Sequence, residues 1–213
     1  DLHPNMSCVK ISQVGLTEVQ IRKIGAFLKR NQGCVGIFAF PDDDLLKRNS
    51  QTRIKPIIDG DEVFNMGSDK PVRSISLMQI GQSFLHITGG NEADATSTSA
   101  DILFLDEVDL AKQAMIALFG SRLQGSDWKI LQKFSTPTFS GYGIDQDFEG
   151  SDQKYWMIRC GSCNHWQFPT FSSRFVEIGG LPSDIEDLTE IDQSTLDYYK
   201  LDLLNAHVCC EKC

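Results

Sequence analysis

Two carboxylates follow four apolar residues in Ile102-Leu103-Phe104-Leu105-Asp106-Glu107. Such a run reads as a buried strand that delivers Asp106 and Glu107 from its C-terminal end. Where phosphoanhydrides are cleaved, the first carboxylate of such a pair holds Mg²⁺ and the second polarises the attacking water. A core strand ending at a solvated acidic pair is the plain alternative. Well upstream, Lys10-Ile-Ser-Gln13-Val-Gly15-Leu16-Thr17 lies between a strand-like and a helix-like segment. A phosphate loop of the G-x-x-x-x-G-K-[ST] type has its second Gly and its Thr here as Gly15 and Thr17. Leu16 stands at the usual Lys position, and Lys10 at the first Gly position. The chemistry asks for backbone N–H groups and a helix N-terminus aimed at the phosphates, plus a cation reaching the β and γ oxygens. Lys10, at the far end of the same loop, is placed to reach inward. Lys10, Gln13 and Gly15 are therefore candidate phosphate ligands, and Thr17 and Asp106 are candidate Mg²⁺ ligands. Phe134-Ser135-Thr136-Pro137-Thr138 ends a further strand-like run, and Ser135 and Thr136 are candidates to sense the γ-phosphate. By itself that run is a turn signal.

A separate chemistry belongs to the cysteines. Cys160-Gly-Ser-Cys163 and Cys210-Glu-Lys-Cys213 are two C-x-x-C pairs among seven cysteines. Four thiolates so paired suit one tetrahedral zinc, closed and structural. His165, His207 and Cys209 are near enough in sequence to replace a member.

Positioning these residues takes alternating strands and helices. Residues 7–11 and 34–40 read as strands. Between them Val19, Ile21, Ile24, Phe27 and Leu28 recur at helical spacing over 17–30. Pro41 stops the second strand, and Asp42 to Asp44 start a helix. Residues 82–88, 102–105 and 129–134 are further strands, 109–119 a helix, and a polar loop follows Gly89-Gly90. The alternation implies an α/β fold with a mostly parallel sheet and flanking helices. Asp106 is expected beside the phosphate loop, with strand 7–11 next to strand 102–106. Near 145–155 the character changes to aromatics, paired cysteines and an acidic stretch over 181–197. The expected division is 1–148, a P-loop core, and 149–213, a small zinc-ribbon-like or linker segment.

Composition narrows the classes. The 213 residues are 41% hydrophobic and 23% charged, with a net charge of −9. This is ordinary globular usage. It speaks against a dedicated nucleic-acid-binding domain, which is usually basic, and leaves room for transient grip through loops. No apolar run approaches the roughly 18 residues of a membrane span. No signal peptide is evident, and the expected compartment is cytosolic. The chain opens on Asp1 and closes on the last Cys of a C-x-x-C, which suggests a segment of a longer polypeptide.

Taken jointly, these stretches resemble the terminase large subunits of tailed phages, in their lambda-type branch. Lys10 to Glu18 resembles that branch's deviant phosphate loop, with lysine at its start. Phe40-Pro41 with the acidic helix start and Arg53 resembles the segment after its second strand. Leu105-Asp106-Glu107-Val-Asp109 resembles its Walker B motif. Arg122, Lys129-Ile-Leu and Ser135-Thr-Pro-Thr138 resemble the run into its coupling motif. Ser151 to Tyr155, leading into Cys160-Gly-Ser-Cys163, resembles the entry to its zinc-like knuckle.

The resemblance implies a RecA-like ASCE P-loop NTPase that couples ATP hydrolysis to packaging of double-stranded DNA into a procapsid. ATP would sit at Lys10, Gly15 and Thr17, with Mg²⁺ on Thr17 and Asp106, Glu107 activating water, and structural Zn²⁺ in the cysteine segment. A neighbour in a homo-oligomeric ring would supply an arginine finger, with Arg122 and Arg53 as candidates. Portal protein and small terminase subunit would be partners, and the bacterial host cytoplasm the setting. The family's adenine-binding segment and nuclease domain lie outside this sequence, so no endonuclease activity is expected of it. The family often carries an Arg a few residues after Ser-Thr-Pro-Thr, where this chain reads Gly141-Tyr-Gly-Ile144. Two other readings remain: a superfamily 2 helicase-like translocase, which needs a second RecA-like domain, and an inactive nucleotide fold with a zinc docking module. The isolated chain is expected to be a monomer with weak turnover.

Overall fold

The computed structural model describes residues 3–65, 67, 70–90 and 98–213. The chain divides into two compact units, Asp1–Gln153 and Lys154–Cys213.

In the first unit, β1 (Asn5–Val9) leads into α1 (Leu16–Arg30). Ile21, Ile24, Phe27 and Leu28 bury one face of α1. Each such side chain contributes about 1.5–3 kcal/mol on full burial. Glu18 in the first turn and Lys29 and Arg30 in the last complement the helix dipole. Then come β2 (Val35–Ala39) and α2 (Asp43–Asn49), whose first turn is capped by the Asp42 carboxylate accepting from Leu45 N. A π-helical turn (Ser50–Ile54) continues into α3 (Lys55–Gly60) and α4 (Glu62–Asn65). The remaining elements are β3 (Leu77–Ile80), β4 (Ser83–Thr88), β5 (Ile102–Asp106), α5 (Gln113–Gly120), β6 (Ile130–Ser135) and α6 (Ile144–Glu149).

Six strands form one sheet in the order β1-β6-β5-β2-β4-β3. All neighbours are parallel except β3 and β4. Successive residues of each strand face opposite layers. Phe38, Phe104 and Phe134 therefore pack with α1 in one core, whereas Ile37, Leu103 and Leu105 pack with Phe119, Leu123 and Ile144 in the other. The register pairs Val9 with Ser135, Asp106 with Phe134, and Ala39 with both Leu105 and Thr88. Five C-terminal strand ends thus share one edge, where open α/β sheets bind ligands.

Three expectations need correction. Strand β1 does not neighbour β5, because β6 lies between them. The helix expected over 109–119 begins only at Gln113, since Glu107 to Ala111 fold into turns with Leu110 N bonded to Glu107 O. A third strand, β3, lies between the phosphate-loop candidate and β5, where two were expected. Most of the polar loop after Gly89-Gly90, residues 91–97, lies outside the described residues.

The second unit holds β7 (Ile158–Arg159) paired antiparallel with β8 (Trp166–Gln167), and β9 (Val176–Gly179) paired antiparallel with β10 (Asp202–Val208). The acidic stretch is structured. A short 3-10 turn (Leu188–Glu190) and α7 (Gln193–Tyr199) are capped by the carboxylates of Asp187 and Asp192. The side-chain hydrogen bond from Ser194, with donors from Thr195, holds Asp192 down to about 2. Among the described residues, only Phe175, Ile178 and Leu188 are buried apolar side chains of this unit. A unit this size with so small a core needs another source of stability.

Candidate functional site

The loop between β1 and α1 carries the first group of side chains. Gln13 and Gly15 adopt left-handed backbone, at φ 62° and 75°, which folds the chain back over the start of α1. No side chain caps α1, so the orphan N–H groups of its first turn remain available to an anion. Lys10 N donates to Ser135 O at 3.0 Å, which anchors the start of the loop to the end of β6.

From that anchor the Lys10 side chain, 8% exposed, reaches across β6 to the end of β5. Its Nζ lies 2.6 Å from Glu107 Oε1 and 3.3 Å from Asp106 Oδ1. Thr17 Oγ1 donates to Asp106 Oδ2 at 3.0 Å. Burial alone pushes the Lys10 ammonium down in pKa, but the Glu107 hydrogen bond and the charges of Asp106 and Glu107 outweigh it and leave it raised. Asp106 is also raised: burial dominates, repulsion from Glu107 adds to it, and Lys10 and Thr17 only partly offset them.

Glu107 sits at φ 51°, a conformation uncommon for a side chain of its size. Glu107 N bonds Phe134 O at 2.8 Å, which holds the turn. Its Oε2 accepts from Ser135 Oγ and Thr136 N, each at 3.4 Å. Ser135 and Thr136 thus touch Glu107 directly.

Asp109, which sequence reasoning quoted only as part of a motif, organises the turn beyond them. It is 6% exposed. Its Oδ2 accepts from Thr138 N at 2.8 Å and Thr138 Oγ1 at 3.0 Å, and its Oδ1 from Ile144 N at 2.8 Å. Asp109 N in turn donates to Ser135 Oγ at 3.2 Å. One buried carboxylate so ties the β5 turn, the β6 turn and the start of α6 together. Gly143, at φ 57° and ψ −122°, lies against that carboxylate, and a Cβ there would collide with it.

A cleft of ≈ 360 Å³ runs along the loop and is closed opposite by Phe40, Leu45, Arg48, Asn49 and Arg53. Arg53 therefore faces the cleft. Arg48 and Asn49, on α2, had no motif to mark them. Arg122 lies elsewhere, at the N-terminal edge of the sheet, where its carbonyl accepts from Ala100 N and its guanidinium binds Ser121 Oγ at 2.8 Å. It does not join the Lys10 cluster of its own chain.

In the second unit the four sulfurs of Cys160, Cys163, Cys210 and Cys213 gather within 4.8 Å. Cys160 and Cys213 are 3.7 Å apart, and Cys163 and Cys210 are 3.6 Å apart. A tetrahedron with Zn–S of about 2.3 Å has edges of about 3.8 Å, so the donor set fits zinc. The N–H groups of Cys163 and Ser162 aim at Cys160 and hold its thiol down to about 6, whereas hydrogen bonds with Cys163, Cys160 and Cys210 push Cys213 up to about 12. His165 does not join them: its Nε2 contacts Glu211 Oε1 at 2.8 Å. His207 and Cys209 group instead with Glu177.

A mostly parallel α/β sheet with a glycine-ended loop before its first helix and carboxylates at the β5 end defines a P-loop-like nucleotide fold. The chain belongs to the family of the phage terminase large subunit gpA ATPase domain, whose sequence model matches residues 3–213. Among solved structures, the large terminase of bacteriophage HK97 aligns over 70% of this chain and 34% of its own, at 11% identity and TM-score 0.55. The large terminase of a thermophilic bacteriophage, in complex with ADP, aligns over 63% and 34%, at 15% identity and TM-score 0.52. The ATPase domain of the Thermus phage P74-26 large terminase aligns over 68% and 62%, at 16% identity and TM-score 0.50. At such identities the likeness speaks for the fold. The chain spans about a third of the length of the HK97 protein and of the ADP-bound one. No curated protein matches it in sequence. No helix among the described residues is long and apolar enough to cross a membrane.

Proposed function

We propose that residues 1–148 are the ATP-hydrolysing core of a terminase large subunit that drives double-stranded DNA into a procapsid, and that 149–213 form a zinc-stabilised segment. The observation that carries this is the convergence of Lys10, Thr17, Asp106 and Glu107, from two loops, at 2.6 to 3.3 Å. The ADP complex of the thermophilic bacteriophage's large terminase supports nucleotide as the ligand.

Thr17 and Asp106 offer two oxygens 3.0 Å apart. That matches the edge of an octahedron with Mg–O near 2.1 Å, so Mg²⁺ would be held there. When bound, it would neutralise charge on the β and γ oxygens. Lys10 ion-pairs Glu107 and Asp106 when no phosphate competes for it. Triphosphate in the loop draws Lys10 toward the β and γ oxygens, alongside the N–H groups at Gln13 to Thr17. That frees Glu107 Oε1 to take a proton from water. Ser135 and Thr136, already bonded to Glu107 Oε2, keep the carboxylate aimed and feel its change of partner. Asp109 passes that change to the Thr138 turn and α6. A trans arginine completes the charge stabilisation. Arg53 has the cleft position for contact within the chain, and Arg122, at the far edge, fits only a role toward a neighbour.

The proposed setting is a ring of such subunits with portal protein and small subunit, in the host cytoplasm. The test is binding of ATP to the chain followed by Mg²⁺ titration. Native protein binds in a Mg²⁺-dependent way, and Thr17→Ala loses the Mg²⁺ dependence while keeping residual binding. Equal Mg²⁺ dependence in both contradicts the assignment.

A further inference from the structure

We propose that Glu177, His207 and Cys209 form a second metal site, for a zinc-class divalent cation, beside the four-cysteine cluster and separate from it. Glu177 Oε2 lies 3.6 Å from Cys209 Sγ and 3.6 Å from His207 Nε2. All three donor atoms fall within 4.8 Å of one another. Tetrahedral zinc with bonds of about 2.0–2.3 Å sets its donors about 3.3–3.8 Å apart. The two measured edges fall in that range.

The backbone places these donors. His207 and Glu177 are cross-strand partners on β10 and β9. Cys209 N donates to Phe175 O at 2.7 Å, which fixes Cys209 just past the end of the pairing. His207 Nδ1 lies 3.0 Å from Asn205 O. A carbonyl only accepts, so Nδ1 carries a hydrogen there, and Nε2, the ring nitrogen nearer Glu177, is the one placed to ligate. This is the arrangement that backing groups impose on metal-bound histidines. The thiolate and carboxylate together carry two negative charges, which match a divalent ion, and sulfur with imidazole favours zinc over magnesium or calcium.

Cys209 and Cys210 adjoin in sequence, yet Cys210 Sγ pairs with Cys163 while Cys209 Sγ pairs with Glu177. The two sites divide the five cysteines of this unit between them. β10 also has a need for such a site: every one of its residues is exposed. A strand that buries nothing is held to β9 by its ladder alone, and a metal bridging His207, Cys209 and Glu177 staples it. The His207 and Glu177 side chains are 63% and 71% exposed. The fourth position therefore opens to solvent, and this ion exchanges sooner than one enclosed by four thiolates.

Cobalt(II) titration of the reduced full chain, read by absorption and equilibrium dialysis, tests this. Native protein is expected to bind two equivalents, one with strong tetrathiolate charge transfer and one with a weaker single-thiolate band. His207→Ala and Glu177→Ala each remove the second equivalent and leave the tetrathiolate spectrum unchanged, and Cys209→Ser abolishes the weaker band. A native chain that binds only a tetrathiolate equivalent, untouched by His207→Ala, overturns the proposal and leaves Glu177 and His207 a cross-strand ion pair. A native chain with only the weaker band, lost in His207→Ala, supports this site and instead sinks the four-cysteine one.

Discussion

Lys10 ion-pairs Asp106 and Glu107, and in the mechanism we propose it would also contact phosphate. Leu16, at the position usually held by lysine, is the first residue of α1 and packs half-buried against the core. The two residues therefore respond differently to truncation. Lys10→Ala is expected to lower ATP turnover by about 10²–10³, the usual cost of removing a charge-stabilising donor. Leu16→Ala keeps most of the turnover and loses about 1–2 kcal/mol of stability from the half-buried methylenes. Steady-state turnover and urea melts of both variants check this, and equal turnover in native and Lys10→Ala protein rules out the role. The two carboxylates were legible in the sequence because an apolar run pointed them out of a strand end. The role of Asp109 was not, since its partners Thr138 and Ile144 lie 29 and 35 residues away and no local pattern announces them.

At the scale of elements, β2, β4, β5 and β6 could be read as apolar runs bounded by turn residues. β3 could not: Leu77–Ile80 is short and includes Gln79, and its strand state comes from pairing with β4. The order of strands escaped for another reason. Sharing one Mg²⁺ suggests, from sequence, that β1 and β5 are neighbours. Loops beyond the strand ends, however, reach over the intervening β6, and Lys10 spans that distance with its four methylenes. The β6 turn then becomes part of the site, with Ser135 between Glu107 and Asp109. Its support is testable. Gly143→Ala puts a Cβ against the Asp109 carboxylate at a backbone conformation reserved for glycine, and is expected to cost roughly 1–3 kcal/mol. Asp109→Ala leaves the Thr138 and Ile144 amides without an acceptor and is expected to cost about 3 kcal/mol or more. Denaturant melts measure both, and a loss under about 0.5 kcal/mol, the usual size of a neutral surface change, would show that the turn is held by other contacts.

Over the whole molecule, two units with different sources of stability should respond differently to treatment. The first buries two apolar layers against a six-stranded sheet. The second buries three apolar side chains among its described residues and carries four converging thiols. Chelation under reducing conditions is therefore expected to abolish the ordered signal of 154–213 and leave the cooperative melt of 1–153 within a few degrees. Hydrogen exchange resolved along the chain separates the two, and unchanged protection at 154–213 after complete metal removal would contradict zinc as its staple. The assignment as a motor rests on Glu107, and one measurement addresses it directly: ATP turnover with DNA and procapsids present, by the complete large subunit carrying native or Glu107→Gln sequence. Loss of a general base predicts a fall of about 10²–10⁴ in kcat for Glu107→Gln, with ATP affinity retained. Undiminished turnover in that variant would contradict the account.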